Sequence, residues 1–84
     1  MLLVVDIGNT NITMGVYDGD QLNGPFRMTT KTKRTSDEYG IVLLNLLSSR
    51  GVDSARIQAV IISSVVPAVM HSFHNAIRKY LHIA

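Results

Sequence analysis

The sequence predicts an α/β domain with a mixed sheet, in the order β-β-β-α-β-α. Three observations predict it. Residues 2–5 and 59–62 are short, continuously apolar and largely β-branched, as strands in a sheet interior are. Two longer stretches, 35–50 and 67–81, repeat apolar residues at helical spacing. Asp18-Gly19-Asp20 separates two strand-like runs with the Asp-Gly pair that tight hairpins favour.

The first apolar run, Leu2 to Val5, reads as a central strand covered on both faces, and Asp6 stands where that strand leaves the core. Gly8-Asn9-Thr10-Asn11 then turns the chain into a second strand, Ile12 to Asp18, in which Gly15 marks a bulge or a close backbone approach. Gln21 to Thr30 returns as a third strand. Its Gly24-Pro25 interrupts the pairing and assigns it to an edge or a bulge. The loop Lys31 to Arg34 follows.

Thr35-Ser36-Asp37-Glu38 opens the first helix. Thr35 or Ser36 caps it, and Glu38 stands three residues after Thr35, as a capping box requires. Asp37 and Glu38 suit the positive end of the helix dipole, which explains them without a catalytic role. Tyr39, Leu43, Leu46 and Leu47 recur at helical spacing. Ile41, Val42 and Leu44 widen the apolar face, so most of the helix should be covered. Gly51 ends it, and residues 53–57 form a short turn. Ala59 to Ser64 is the fourth strand, expected to pair parallel to the first through a right-handed crossover. Pro67 starts the second helix, which runs to about Leu81.

Two double-sided strands with only two helices to cover them leave an apolar edge at residues 59–64, a hazard that proteins normally cover. The chain therefore reads as the front part of a larger domain, incomplete at its carboxyl end.

Bulk composition sets further bounds. A chain of 84 residues, 46% hydrophobic and 17% charged, is expected to fold as a single small unit. It has no Cys, which excludes disulfides and thiolate metal sites and suits a reducing, cytoplasmic setting. No membrane-length apolar run and no basic leader appears, so no membrane role is expected. Lys31, Lys33 and Arg34 form a small basic cluster. It reads as a solvated loop rather than a nucleic-acid surface, because no interleaved aromatic residues accompany it. His71 and His74 lie one helical turn apart without a third ligand and read as surface residues.

The candidate site is the first turn. Gly8 tolerates φ > 0 and, lacking Cβ, lets a ligand approach the backbone. Asn9, Thr10 and Asn11 add side-chain donors beside consecutive N–H groups, a row of donors that suits an oxyanion such as phosphate. Asp6 beside such a cradle requires an intervening cation, and Mg²⁺ is the natural choice. A plain tight hairpin explains the same residues. The stretch is neither a Walker A loop nor a dinucleotide-binding turn, since a strand follows it. Ser63 to Pro67 leaves the end of a parallel strand, where open sheets place ligands, and is either a cleft wall or a simple connection.

This element order, with an Asp-containing turn between the first two strands, resembles the ribonuclease H-like half-domain of the acetate and sugar kinase, heat-shock ATPase and actin superfamily. Within it, Val5-Asp6-Ile7-Gly8-Asn9-Thr10-Asn11, Gly15-Val16-Tyr17-Asp18, Arg34-Thr35 with Asp37-Glu38-Tyr39-Gly40, and Val60 to Pro67 resemble the amino-terminal part of type III pantothenate kinases. The resemblance implies transfer of the γ-phosphoryl group of ATP to the primary hydroxyl of pantothenate, on the route to coenzyme A. It also implies Mg²⁺, a monovalent cation (K⁺ or ammonium) and a homodimer. Asp6 then corresponds to the metal- and phosphate-associated acid. Gly8, Asn9 and Thr10 correspond to the first phosphate loop, which Asn11 assists. The family's catalytic Asp, in a Gly-x-Asp-Arg segment, and its adenosine pocket are expected beyond Ala84, so no catalytic residue is assigned and the segment alone is expected to be inactive. A different reading of the same fold is a non-catalytic nucleotide-binding module serving regulation or assembly. A third is a kinase of the same superfamily acting on acetate or a sugar.

Overall fold

Alternation along the first strand decides which side of the sheet is filled. In β1 (Leu2–Ile7), Leu3, Val5 and Ile7 are buried, Leu2 and Val4 are half-buried and Asp6 is exposed. The computed structural model describes residues 1–31 and 34–83. Its four strands are β1, β2 (Asn11–Asp18), β3 (Gln21–Thr29) and β4 (Ala59–Ser64), in the order β3-β2-β1-β4. β1 runs antiparallel to β2 and parallel to β4, and β2 runs antiparallel to β3. The sheet is therefore mixed with β1 central. With helices α1 (Ser36–Ser49) and α2 (Pro67–Tyr80), this is a partial ribonuclease H-like fold.

The helices pack against each other and join the odd-numbered residues of β1 in a single apolar core that includes Tyr39, Leu43, Leu47, Val69 and Phe73. Tyr39 and Phe73 meet edge to face with centroids 5.6 Å apart, a geometry favoured by the ring quadrupoles. On the opposite side of the sheet, Val4, Asp6, Thr13, Gly15, Tyr17 and Leu22 line a shallow open groove. The double-sided strands expected from composition are thus covered on one face here. Ile61 of the edge strand β4 is 56% exposed. Ile41 also departs from expectation: it is 52% exposed, because the apolar arc of α1 is wider than the surface offered to it.

Local signals behave as their chemistry dictates. Gly19 takes φ +60° in the hairpin between β2 and β3. The β2–β3 register slips by one residue opposite Gly15, where β3 carries Gly24-Pro25, so both the bulge and the edge position are realised. Thr35 caps α1 in a reciprocal capping box with Glu38. At the other end Gly51 N–H bonds the Ser48 carbonyl and Val52 N–H bonds that of Leu47, the pairing of a Schellman motif. A short 3₁₀ turn, Ser54–Arg56, follows, capped by the Asp53 side chain.

The first turn of α1 also ties to α2. Lys79 Nζ and the Tyr80 hydroxyl each donate to Asp37 Oδ1 at 2.8 Å. These bonds, that of Lys79 first, hold the Asp37 carboxyl below its ordinary range, and the Thr35 N–H does the same for Glu38. Depressed carboxylates contribute stability that is present above their unfolded values and lost as pH falls through the folded ones. Melting temperature is therefore expected to decline below about pH 4, and less steeply in Asp37→Asn, as a series of thermal melts across acid pH will test. Both carboxylates are exposed, so the difference should be modest.

Candidate functional site

β1 and β4 are parallel, and their carboxyl ends emerge side by side. Register places Asp6 beside Ser63 on β4 and opposite Thr13 on β2, so the three share one face of the sheet. The Ser63 hydroxyl donates to Asp6 Oδ1 at 3.1 Å. Asp6 is exposed at one end of the open groove. Hydroxyl and carboxylate oxygens at this edge are hard donors, the class preferred by Mg²⁺.

The turn follows directly. Asn9 and Thr10 form its tip, and Gly8 N–H donates to the Asn11 carbonyl at 2.9 Å. A Cβ on Gly8 would lie 3.2 Å from that oxygen. Gly8 is not among the positive-φ residues, so close approach of the turn's own backbone, not a left-handed conformation, is what the glycine supplies here. Asn9, Thr10 and Asn11 are all exposed. Among the described residues the N–H groups of Asn9 and Thr10 donate to no carbonyl or side chain. The turn thus presents unused donors to solvent next to a carboxylate.

Two bonds brace the turn from behind. Thr30, just past β3, donates its N–H to the Thr10 carbonyl at 2.9 Å and its hydroxyl to the Gly8 carbonyl at 2.8 Å. The loop after Thr30 is also tied down, because the Tyr39 hydroxyl donates to the Lys31 carbonyl at 2.5 Å. Of the expected basic cluster, Lys31 is exposed. Arg34 is held, with its guanidinium 5.5 Å from the Tyr39 ring centroid and Nη1 3.6 Å from Met28 Sδ. Lys33 lies outside the described residues. Arg34 is thus no free solvated charge: the Tyr39 face attracts its cation.

Asp37 and Glu38 are engaged at the helix start, as dipole and cap residues should be. His71 and His74 are exposed on α2, and among the described residues no three His, Cys, Asp or Glu side chains form a metal-binding group. Of the Ser63 to Pro67 segment, Ser63 reaches Asp6, while the Ser64 hydroxyl turns back on Val66.

Sequence reasoning did not single out Thr13 or Thr30. It placed Ser63 only within a segment that is either a cleft wall or a simple connection, with no partner named. For Ser63 and Thr13 a signal existed: aligning the polar ends of the apolar runs 2–7 and 59–64 puts Ser63 beside Asp6. For Thr30 there was none, since 22 residues separate it from Gly8.

The type III pantothenate kinase family model matches residues 2–84. Over 83 residues, 99% of this chain, the chain is 53% identical to the type III pantothenate kinases of Agathobacter rectalis and Bifidobacterium longum, and 49% identical to that of Bifidobacterium adolescentis. In each case the match covers 32% of the relative, so the chain spans about a third of the length of these curated proteins.

Proposed function

Because the chain belongs to the type III pantothenate kinase family, within the actin-like ATPase superfamily, we propose that it contributes the first phosphate-binding half-site of an enzyme that phosphorylates pantothenate with ATP. Residues 1–84 form the amino-terminal portion of one ribonuclease H-like domain in this reading. The observation that carries it is the exposed turn at Asn9 and Thr10, whose N–H groups have no acceptor among the described residues, set next to Asp6.

Each residue has a physical task. The N–H groups of the turn, with the side chains of Asn9, Thr10 and Asn11, hold phosphate oxygens, while Gly8 keeps the turn narrow. Phosphoryl transfer depends mainly on positioning and on stabilising charge, so fixed dipoles at the phosphate tail lower the barrier without forming bonds. Asp6 would hold Mg²⁺. Mg²⁺ is usually held by only one or two carboxylates, with waters and phosphate oxygens completing the shell, and the exposed Asp6 carboxylate could fill that role. When bound, the ion neutralises the charge of the phosphate tail. Ser63 orients the carboxylate through its hydrogen bond. A monovalent cation, K⁺ or ammonium, belongs to the same reading. Homodimerisation and a cytoplasmic location belong to the same proposal, and no helix among the described residues is long and apolar enough to cross a membrane.

Amide chemical shifts provide the test. Addition of Mg²⁺ with ATP, or with inorganic triphosphate, is expected to shift the Asn9, Thr10 and Asn11 amides first. Shifts confined to residues away from the turn would refute the assignment.

A further inference from the structure

We propose that Thr30 is a positioning residue for phosphate binding: it aims the donors of the turn by holding that turn's carbonyls from behind. The inference rests on the phosphate reading of the turn and names the device that makes it work.

A trans peptide is planar, with its C=O and N–H pointing in opposite directions. Fixing one fixes the other. The Gly8 carbonyl and the Asn9 N–H belong to one peptide, and the Thr10 carbonyl and the Asn11 N–H to another. Thr30 takes both carbonyls, the first with its hydroxyl at 2.8 Å and the second with its own N–H at 2.9 Å. Two peptides of the turn are thereby oriented with their N–H groups directed away from Thr30. A turn of Asn and Thr without this brace is free to rotate a carbonyl oxygen towards the ligand, where it would repel phosphate. Thr30 is half-buried, and its hydroxyl bond is partly shielded from water, which favours a persistent bond over exchange with solvent. The brace also couples the start of the loop at residue 31 to the turn, because Tyr39 holds the Lys31 carbonyl from the core side.

The side-chain half of the brace is separable from the main-chain half. Thr30→Val removes the hydroxyl, keeps the volume and leaves the N–H bond to Thr10 in place. Thr30→Ser keeps the hydroxyl. Titration of Mg²⁺ with inorganic triphosphate into the full chain, followed by amide shifts, is expected to show binding about five- to tenfold weaker in Thr30→Val, and within about twofold of the parent in Thr30→Ser, the size expected for one partly shielded hydrogen bond. The Asn9 amide is expected to move in the unliganded Thr30→Val protein, whereas Asn11, held through the Thr10 carbonyl, moves less. A merely structural Thr30 would lower the unfolding midpoint without this selective change at Asn9. Parent-like affinity in Thr30→Val overturns the positioning role while leaving the phosphate reading intact. If the parent itself shows no response at the turn, the phosphate reading falls and this inference falls with it.

Discussion

Gly40→Ala is expected to destabilise the fold, against the sense of its helix propensity. In the interior of α1 an alanine is normally about 1 kcal/mol better than glycine. Here a methyl at position 40 would sit inside the Tyr80 ring, far within van der Waals contact of its Cγ, Cδ2 and Cε2 atoms. Cγ lies at the root of the side chain, so rotating its tip does not relieve the overlap. Tyr80 must swing away and lose its bond to Asp37, or α1 and α2 must separate. Overpacking of this kind costs about 1–3 kcal/mol, and the steric term outweighs the propensity gain. Denaturant midpoints are expected to fall in Gly40→Ala, whereas the same substitution made in a Tyr80→Ala background, where the methyl has space, is expected to leave the midpoint of Tyr80→Ala unchanged or higher. An unchanged midpoint in the single variant would show that the helices slide apart at little cost.

The second large effect concerns Asp6, and its sign depends on the metal. Asp6→Asn keeps an oxygen able to accept the Ser63 hydroxyl, so the fold should be little changed. What disappears is the negative charge. With Mg²⁺ present, triphosphate is expected to bind at least about tenfold more weakly in the variant, because a positioned charge contact of this kind is typically worth that or more. Without Mg²⁺ the order should invert. The native carboxylate repels the bare polyanion, and Asn does not, so the variant should bind equally well or better. Titrations with and without chelator will distinguish this crossover from a general loss of affinity. Equal weakening under both conditions would mean that Asp6 touches phosphate indirectly, with no ion between them.

What was legible in the chain of residues was local. The Thr35–Glu38 capping box, the Gly51 stop, the Asp18-Gly19-Asp20 hairpin and the Pro67 helix start each depend on chemistry within a few positions, and each lies where that chemistry put it. The parallel partnership of β1 with β4 was legible for a related reason: two apolar strands separated by a helix have few other ways to bury themselves. Expected coverage of both sheet faces was less secure, because a continuous apolar run records what a strand tolerates, not what lies over it. Val4 and Ile61 are apolar, yet they face the open side of this chain.

The candidate site divides along the same line. Residue order determined the turn, its glycine and the acid before it, because an Asp in the last pair of residues of a strand and a two-residue reversal are properties of consecutive residues. Tertiary structure alone decided that Arg34 lies on Tyr39 and that Thr30 braces the turn. These contacts join residues through strand register and loop closure. A hydroxyl's partner is set by which carbonyl it meets across the sheet, and no pattern of neighbours along the chain encodes that distance.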